Sequence, residues 1–166
     1  MLPLLQNNEN PGVPHVSRLP AKIFIKTHFD ICSGCGLCQL ACSERLHGGY
    51  NPHLALLHIR HTCENLYHFP TVCNQCQNAY CANVCPVSAI GRDAATGALV
   101  VDHAKCVGCN LCHRYCPLHI VGVDPQLKKS VKCDLCGGAP ACVAACPTGA
   151  LELAMCIEHP EQEEKT

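Results

Sequence analysis

The chain has 166 residues, with Lys+Arg 12 against Asp+Glu 13 and a formal charge of −1. That balance gives no reason to expect nucleic acid or an anionic membrane as partner, and no run of 18 apolar residues offers a membrane span. Removing its 18 cysteines from the 48% hydrophobic fraction leaves about 37%, with 3 Phe, 4 Tyr and no Trp. Such a core is thin for this length, so cysteine chemistry must help hold one compact unit or two small halves together.

Residues 1–19 contain Pro3, Pro11 and Pro14 and show little hydrophobic periodicity. They read as an extended arm able to lie across a second copy or a neighbouring subunit. The start lacks the basic, apolar and twin-arginine features of an export signal. The chain is therefore expected in the cytoplasm, where thiols stay reduced and a disulfide scaffold is disfavoured.

Ala21–Phe29 alternates, Ile23 and Ile25 against Lys22 and Lys26, and predicts the first strand. The first cysteine run follows: Cys32, Cys35, Cys38 and Cys42, with a helix expected over Leu37–Leu46 and Ser43 after the last cysteine. His53–His61 predicts another strand. The second run is Cys73, Cys76, Cys81 and Cys85; Pro86–Ile90, a polar turn and Ala98–Asp102 then predict a hairpin. The third run is Cys106, Cys109, Cys112 and Cys116, and the fourth is Cys133, Cys136, Cys142 and Cys146. Pro86, Pro117 and Pro147 close the last three runs, a short helix is expected after each third cysteine, and residues 158–166 form an acidic, solvated tail.

The spacing carries chemistry. Three thiolates two residues apart on a tight loop reach three corners of a 4Fe-4S cube, and Gly34, Gly36 and Gly108 let the backbone approach the inorganic sulfides. The fourth cysteine is expected on the following helix, pointing away from its own loop. A zinc site needs only four tetrahedral ligands on paired knuckles, a poor fit to three cysteines within seven residues. Cys109-Asn110-Leu111-Cys112-His113 spells a haem-attachment motif, but both cysteines already belong to the third run. Cys63 and Cys156 are left over and are expected as buried thiols. The histidines, His53, His58, His61 and His68 among them, lack any metal-binding motif and are expected to be solvated or at an interface.

The runs resemble those of two-cluster bacterial ferredoxins, in which the fourth cysteine ligates the other cluster. That resemblance implies α+β modules of short hairpins and helices around four 4Fe-4S clusters. Runs two and three, joined by the compact hairpin, would make an inner module over 66–125. Runs one and four would then pair in an outer module over 20–65 plus 126–157. Under this nesting one cluster takes Cys32, Cys35, Cys38 and Cys146, and another takes Cys133, Cys136, Cys142 and Cys42. The inner clusters take Cys73, Cys76, Cys81 and Cys116, and Cys106, Cys109, Cys112 and Cys85. The competitor is a tandem pairing of one with two and three with four, which leaves 30 residues between Cys42 and Cys73 without the compact linker.

Four runs, Ser43 in place of proline and Gly49-Tyr50-Asn51-Pro52 ahead of a strand resemble the four-cluster polyferredoxin subunits of molybdenum and tungsten oxidoreductases, hydrogenases and carbon monoxide dehydrogenase. The short chain resembles the small iron–sulfur subunits beside aldehyde:ferredoxin oxidoreductase-type tungsten enzymes. The resemblance implies a relay of single electrons, with no catalytic site of its own. Its partners would be a large tungsten or molybdenum subunit on one side and a flavin subunit or ferredoxin on the other. A free-standing polyferredoxin, or the equivalent subunit of a carbon monoxide dehydrogenase, hydrogenase or formate dehydrogenase, is the alternative. Four clusters would add about −8 of charge, which Lys105, Lys132 and Arg114 beside the runs can offset.

Overall fold

A proline decides how far each helix runs. In the computed structural model, which describes residues 22–156, α1 covers Leu37–His47, whereas α2 (Tyr80–Asn83), α3 (Leu111–Arg114) and α4 (Ala141–Ala144) are single turns. The residue before a proline is driven out of the helical region. Pro86, Pro117 and Pro147 therefore release Cys85, Cys116 and Cys146 from α2, α3 and α4. Ser43, at the equivalent position of run one, lets α1 continue. Its buried hydroxyl shares one proton between the carbonyls of Leu40 (3.0 Å) and Gly49 (2.9 Å) and accepts from Asn51 N–H at 3.0 Å. Gly48, at φ 66°, closes the helix by donating to Glu44 O at 2.8 Å.

Two sequence expectations are corrected here. Cys81, Cys112 and Cys142 lie within the first turn of their helices rather than before them, as Cys38 already does in the helix expected from Leu37, and only Cys42 among the fourth cysteines is helical. The strand expected over His53–His61 is a short 3-10 turn, Pro52–Leu54, and then β2 from His58. Pro52 at the head of that segment fixes a helical φ, and Asn51 caps it by accepting from His53 N–H at 3.0 Å.

The strands form four separate antiparallel pairs. β1 (Lys22–Thr27) pairs with β8 (Leu151–Cys156) from Lys22↔Cys156 to Thr27↔Leu151. β2 (His58–Thr62) pairs with β3 (Tyr67–Thr71), β4 (Ile90–Arg92) with β5 (Leu99–Val101), and β6 (Gly122–Val123) with β7 (Ser130–Val131). A hairpin thus stands between every pair of successive runs, not only between the second and third. The compact linker therefore no longer separates the nested from the tandem pairing. The N-terminal arm and acidic tail lie outside the described residues.

Isolated two-stranded hairpins are marginal in water, and here they lean on cysteines. One core gathers Ile25, Leu57, Val72, Leu135 and Leu151 with Cys38 and Cys142; a second gathers Ala79, Ile90, Leu99 and Val121 with Cys112. The largest side chains with almost no exposure are Leu57, Leu135, Gln75 and Ser43. Two of the four are polar, so the interior relies on specific hydrogen bonds as well as apolar area.

Candidate metal centres

Each run begins with the same backbone device. The second residue between the first two cysteines is left-handed in all four: Gly34 (φ 69°), Gln75 (φ 48°), Gly108 (φ 71°) and Leu135 (φ 58°). This bend curls the loop so that its thiols face one side. Glycine enters it freely, while a larger residue pays roughly 1–3 kcal/mol in strain. At Gly108 a Cβ would stand 2.3 Å from the Lys128 carbonyl, and at Gly34 it would meet the His68 ring at 2.6 Å.

The bends gather the sixteen cysteines around four cavities. Cys32, Cys35, Cys38 and Cys146 line one of about 290 Å³, the Cys35 site. Cys42, Cys133, Cys136 and Cys142 line the Cys136 site, about 380 Å³. Cys73, Cys76, Cys81 and Cys116 line the Cys76 site, about 370 Å³. Cys85, Cys106, Cys109 and Cys112 line the Cys109 site, about 290 Å³. Among the described residues no three His, Cys, Asp or Glu side chains converge as the ligands of a single metal ion would. The thiols stand around a volume instead, which suits a polynuclear group.

The cavities are neighbours in a definite order. Cys38 of the Cys35 site is close enough to Cys142 of the Cys136 site to perturb its thiol, and both sit in one core. Cys133 of the Cys136 site stands likewise against Cys73 of the Cys76 site. Cys81 and Cys116 of the Cys76 site pack in the core that holds Cys112 of the Cys109 site. Of the sixteen, only Cys35 and Cys109 are exposed, one in each end cavity.

Electrostatics favour a cationic guest for the thiols. Burial pushes the Cys133 and Cys142 thiols up to about 12 and Cys38 to about 11, with neighbouring thiols adding to the rise. Burial likewise raises Cys42 and Cys81. In the end cavities burial acts on Cys106 and Cys146 in the same sense, but hydrogen bonds from Ser130 and Gly108, and from Thr148 and Leu151, outweigh it and lower both. Protons or iron must neutralise the inner thiolates.

Two residues join the middle sites: Gln75, to which no local motif points, and Lys132, expected from the sequence only as a charge beside a run. Gln75 is fully buried: its Nε2 donates to Cys133 O at 2.8 Å and its Oε1 accepts from Leu99 N–H at 2.9 Å. Lys132, 5% exposed, donates to Leu99 O at 2.8 Å and Cys133 O at 3.0 Å, 3.4 Å from Gln75 Oε1. No ion pair among the described residues neutralises it. A buried cation without a counter-charge costs several kcal/mol, and an anionic group bound in the adjoining Cys76 site, which Lys132 lines, would supply the missing charge. The four-thiol cavities and this unpaired lysine both fit 4Fe-4S clusters. Lys105, by contrast, is exposed and paired with Asp102 at 3.3 Å, and Arg114 is exposed.

Cys63 is exposed, not buried as its sequence context suggested. Cys63, Glu64 and Asn65 all have positive φ (50°, 54° and 67°) in the β2–β3 turn, which turns the thiol outward. The side chain of Cys156 lies outside the described residues. His53, His58, His113 and His119 are exposed, and with His47 they border a cleft of about 520 Å³. No helix among the described residues is long and apolar enough to cross a membrane.

Comparison with known proteins points to the same cofactor. Residues 64–156 match the 4Fe-4S dicluster domain family and residues 29–45 a 4Fe-4S binding domain. The chain is 36% identical over 125 residues to the polyferredoxin-like subunit of an aliphatic sulfonate oxidoreductase from Pyrococcus furiosus, covering 75% of this chain and 72% of that protein. It is 36% identical over 134 residues to the thiosulfate reductase electron transfer subunit PhsB of Salmonella typhi, covering 73% and 69%. A chain of the active-site complex BamBC of benzoyl coenzyme A reductase, as isolated, shares the fold: TM-score 0.50 and 21% identity over 86% of this chain and 83% of that one. The chain belongs to the 4Fe-4S dicluster domain family, and 4Fe-4S clusters are its cofactor.

Proposed function

We propose that this chain is the electron-relay subunit of a larger oxidoreductase and holds four 4Fe-4S clusters in a row, one in each cysteine-lined cavity. The carrying observation is that each cavity is lined by four of the sixteen cysteines. Such clusters, when bound, exchange single electrons. The protein's part is to hold and insulate. The four thiols leave no ligand position open to substrate. Leu57, Leu99, Val121 and Leu135, all buried, keep water from the interior, and exposed Cys35 and Cys109 mark the two ends where electrons enter or leave. The chain itself has no catalytic site.

The module arrangement follows from the same reading: an arm over 1–19, an outer module over 20–65 plus 126–157, an inner module over 66–125, and a tail over 158–166. The β1–β8 pairing and the packing of α1 on α4 support the outer module; the shared core of Cys81, Cys112 and Cys116 supports the inner one. The partner is a large catalytic redox subunit. Its metal is taken as tungsten or molybdenum, as in the aldehyde:ferredoxin oxidoreductase type, and a flavin subunit or ferredoxin stands at the other end. The sulfonate oxidoreductase and thiosulfate reductase relatives support a place in an oxidoreductase complex. The work is cytoplasmic, without nucleic acid or membrane insertion, and the arm provides self-association. Anaerobically purified chain should contain about 16 iron atoms and as many acid-labile sulfides, four of each per cluster. Bound zinc with four or fewer iron atoms would refute the reading. Co-expression with a neighbouring large redox subunit should yield a stable complex, and separate elution would remove the subunit role.

A further inference from the structure

We propose that Lys132 makes the Cys76 site the resting place of the first electron to enter the row. The inference rests on the reading of the cavities as cluster sites, and its evidence is the unequal distribution of charge among their linings. Lys132 is the one charged residue lining the Cys76 site. Asp134 is the one charged residue lining the Cys136 site. The Cys35 and Cys109 sites have no charged residue other than cysteine in their linings.

Reduction adds one negative charge to a buried site. A cation fixed in low dielectric favours that charge, and a fixed carboxylate opposes it. Lys132 cannot swing away, because carbonyls of Leu99 and Cys133 hold its ammonium and the residue is buried. It also reaches Cys133 of the Cys136 site, but there Asp134, tied to Cys136 N–H at 2.8 Å, offsets it. Lys129 lies near Cys106 of the Cys109 site, yet it is partly exposed, so solvent screens its charge. The Cys76 site alone thus has a buried positive charge that no carboxylate in its lining opposes. The electron rests one step inside the Cys109 end, held until the next carrier or the catalytic subunit is ready.

The test is a redox titration of the fully loaded chain followed by electron paramagnetic resonance. Lys132→Met should lower the midpoint of the first cluster to be reduced by at least the equivalent of a tenfold change in its reduction equilibrium. Lys132→Arg should leave it near the native value, and Lys105→Met should not move it. In the native chain, the first signal to appear should also be less sensitive to a soluble paramagnetic relaxant than the signals of the end clusters, a readout that stands if Lys132→Met fails to assemble. A full iron complement with an unmoved midpoint in Lys132→Met overturns the inference alone. So does a first signal that the relaxant broadens as strongly as those of the end clusters. A native chain lacking the iron complement overturns the cluster reading, and this inference with it.

Discussion

The end cavities and the middle cavities are built from the same cysteine spacing but different interiors. At the left-handed bend the end loops use Gly34 and Gly108, and each exposes one cysteine. The middle loops use Gln75 and Leu135 in that same backbone conformation, each with 0% exposure. A side chain forced into a left-handed backbone carries strain, and here each gives tertiary structure in return. Gln75 ties run two to run four and to β5, and Leu135 fills the larger core. The ends are open where a partner can approach, and the middle is closed where charge must be kept from water.

The contrast can be broken at its strongest point first. Leu135→Ala leaves a void in the core and should cost about 2–5 kcal/mol, read as the denaturant concentration that bleaches the visible absorbance. Gln75→Leu should cost about 2–3 kcal/mol, because the Cys133 carbonyl loses one donor and Leu99 N–H its acceptor. If both variants bleach with the native chain, the middle is not the structural keystone described.

Among glycines, Gly108→Ala should cost about 1–3 kcal/mol and shift the Lys128 segment, since both the backbone and a carbonyl resist the new methyl. Gly137, at φ 69° with nothing within 4 Å, should cost only about 1 kcal/mol as alanine. Equal bleaching of the two would show that close approach at the Cys109 loop is unimportant.

Acidity separates the regions further. Burial raises Cys133 from its ordinary 9.0 to about 12 and Cys142 likewise. The metal-free fold therefore has this contribution in full below pH 9 and loses it as the pH climbs toward 12. Cluster assembly runs the other way, because ligation displaces thiol protons and gains as pH rises. Reconstitution followed in weakly buffered solution should release protons, and assembly without proton release would contradict the raised thiols. The smallest effect is expected outside all four cavities: Cys63→Ser should change stability by no more than about 0.5 kcal/mol and leave the iron content unchanged.

The sequence made the local parts legible. Ligand spacing is a local property, so all sixteen cysteines could be sorted into runs before any fold was known, and the polar turn after Arg92 announced the β4–β5 hairpin. The β6–β7 hairpin is not legible in the sequence, because its strands are two residues long, too short to show alternation. Pro52 turned the front of the expected His53–His61 strand into a 3-10 turn. Cys63 looked like a core thiol by residue type, but three successive left-handed residues carry it outward. In the sequence Lys132 reads only as a charge beside a run. Its burial and its meeting with Gln75, 57 positions away, depend on which runs face one another, and no local pattern encodes that. Aligning the four runs does expose one hidden signal: Gly34 and Gly108 stand where Gln75 and Leu135 stand, a hint that all four loops share one bend.

The most direct test is an anomalous-difference map, collected at the iron edge, from crystals grown without oxygen. Four separate peaks should lie in a row in the order Cys35, Cys136, Cys76 and Cys109 site, with Cys116 bonded to the same cluster as Cys73, Cys76 and Cys81. Fewer peaks, or Cys116 bonded to the cluster of its own run, would contradict the account.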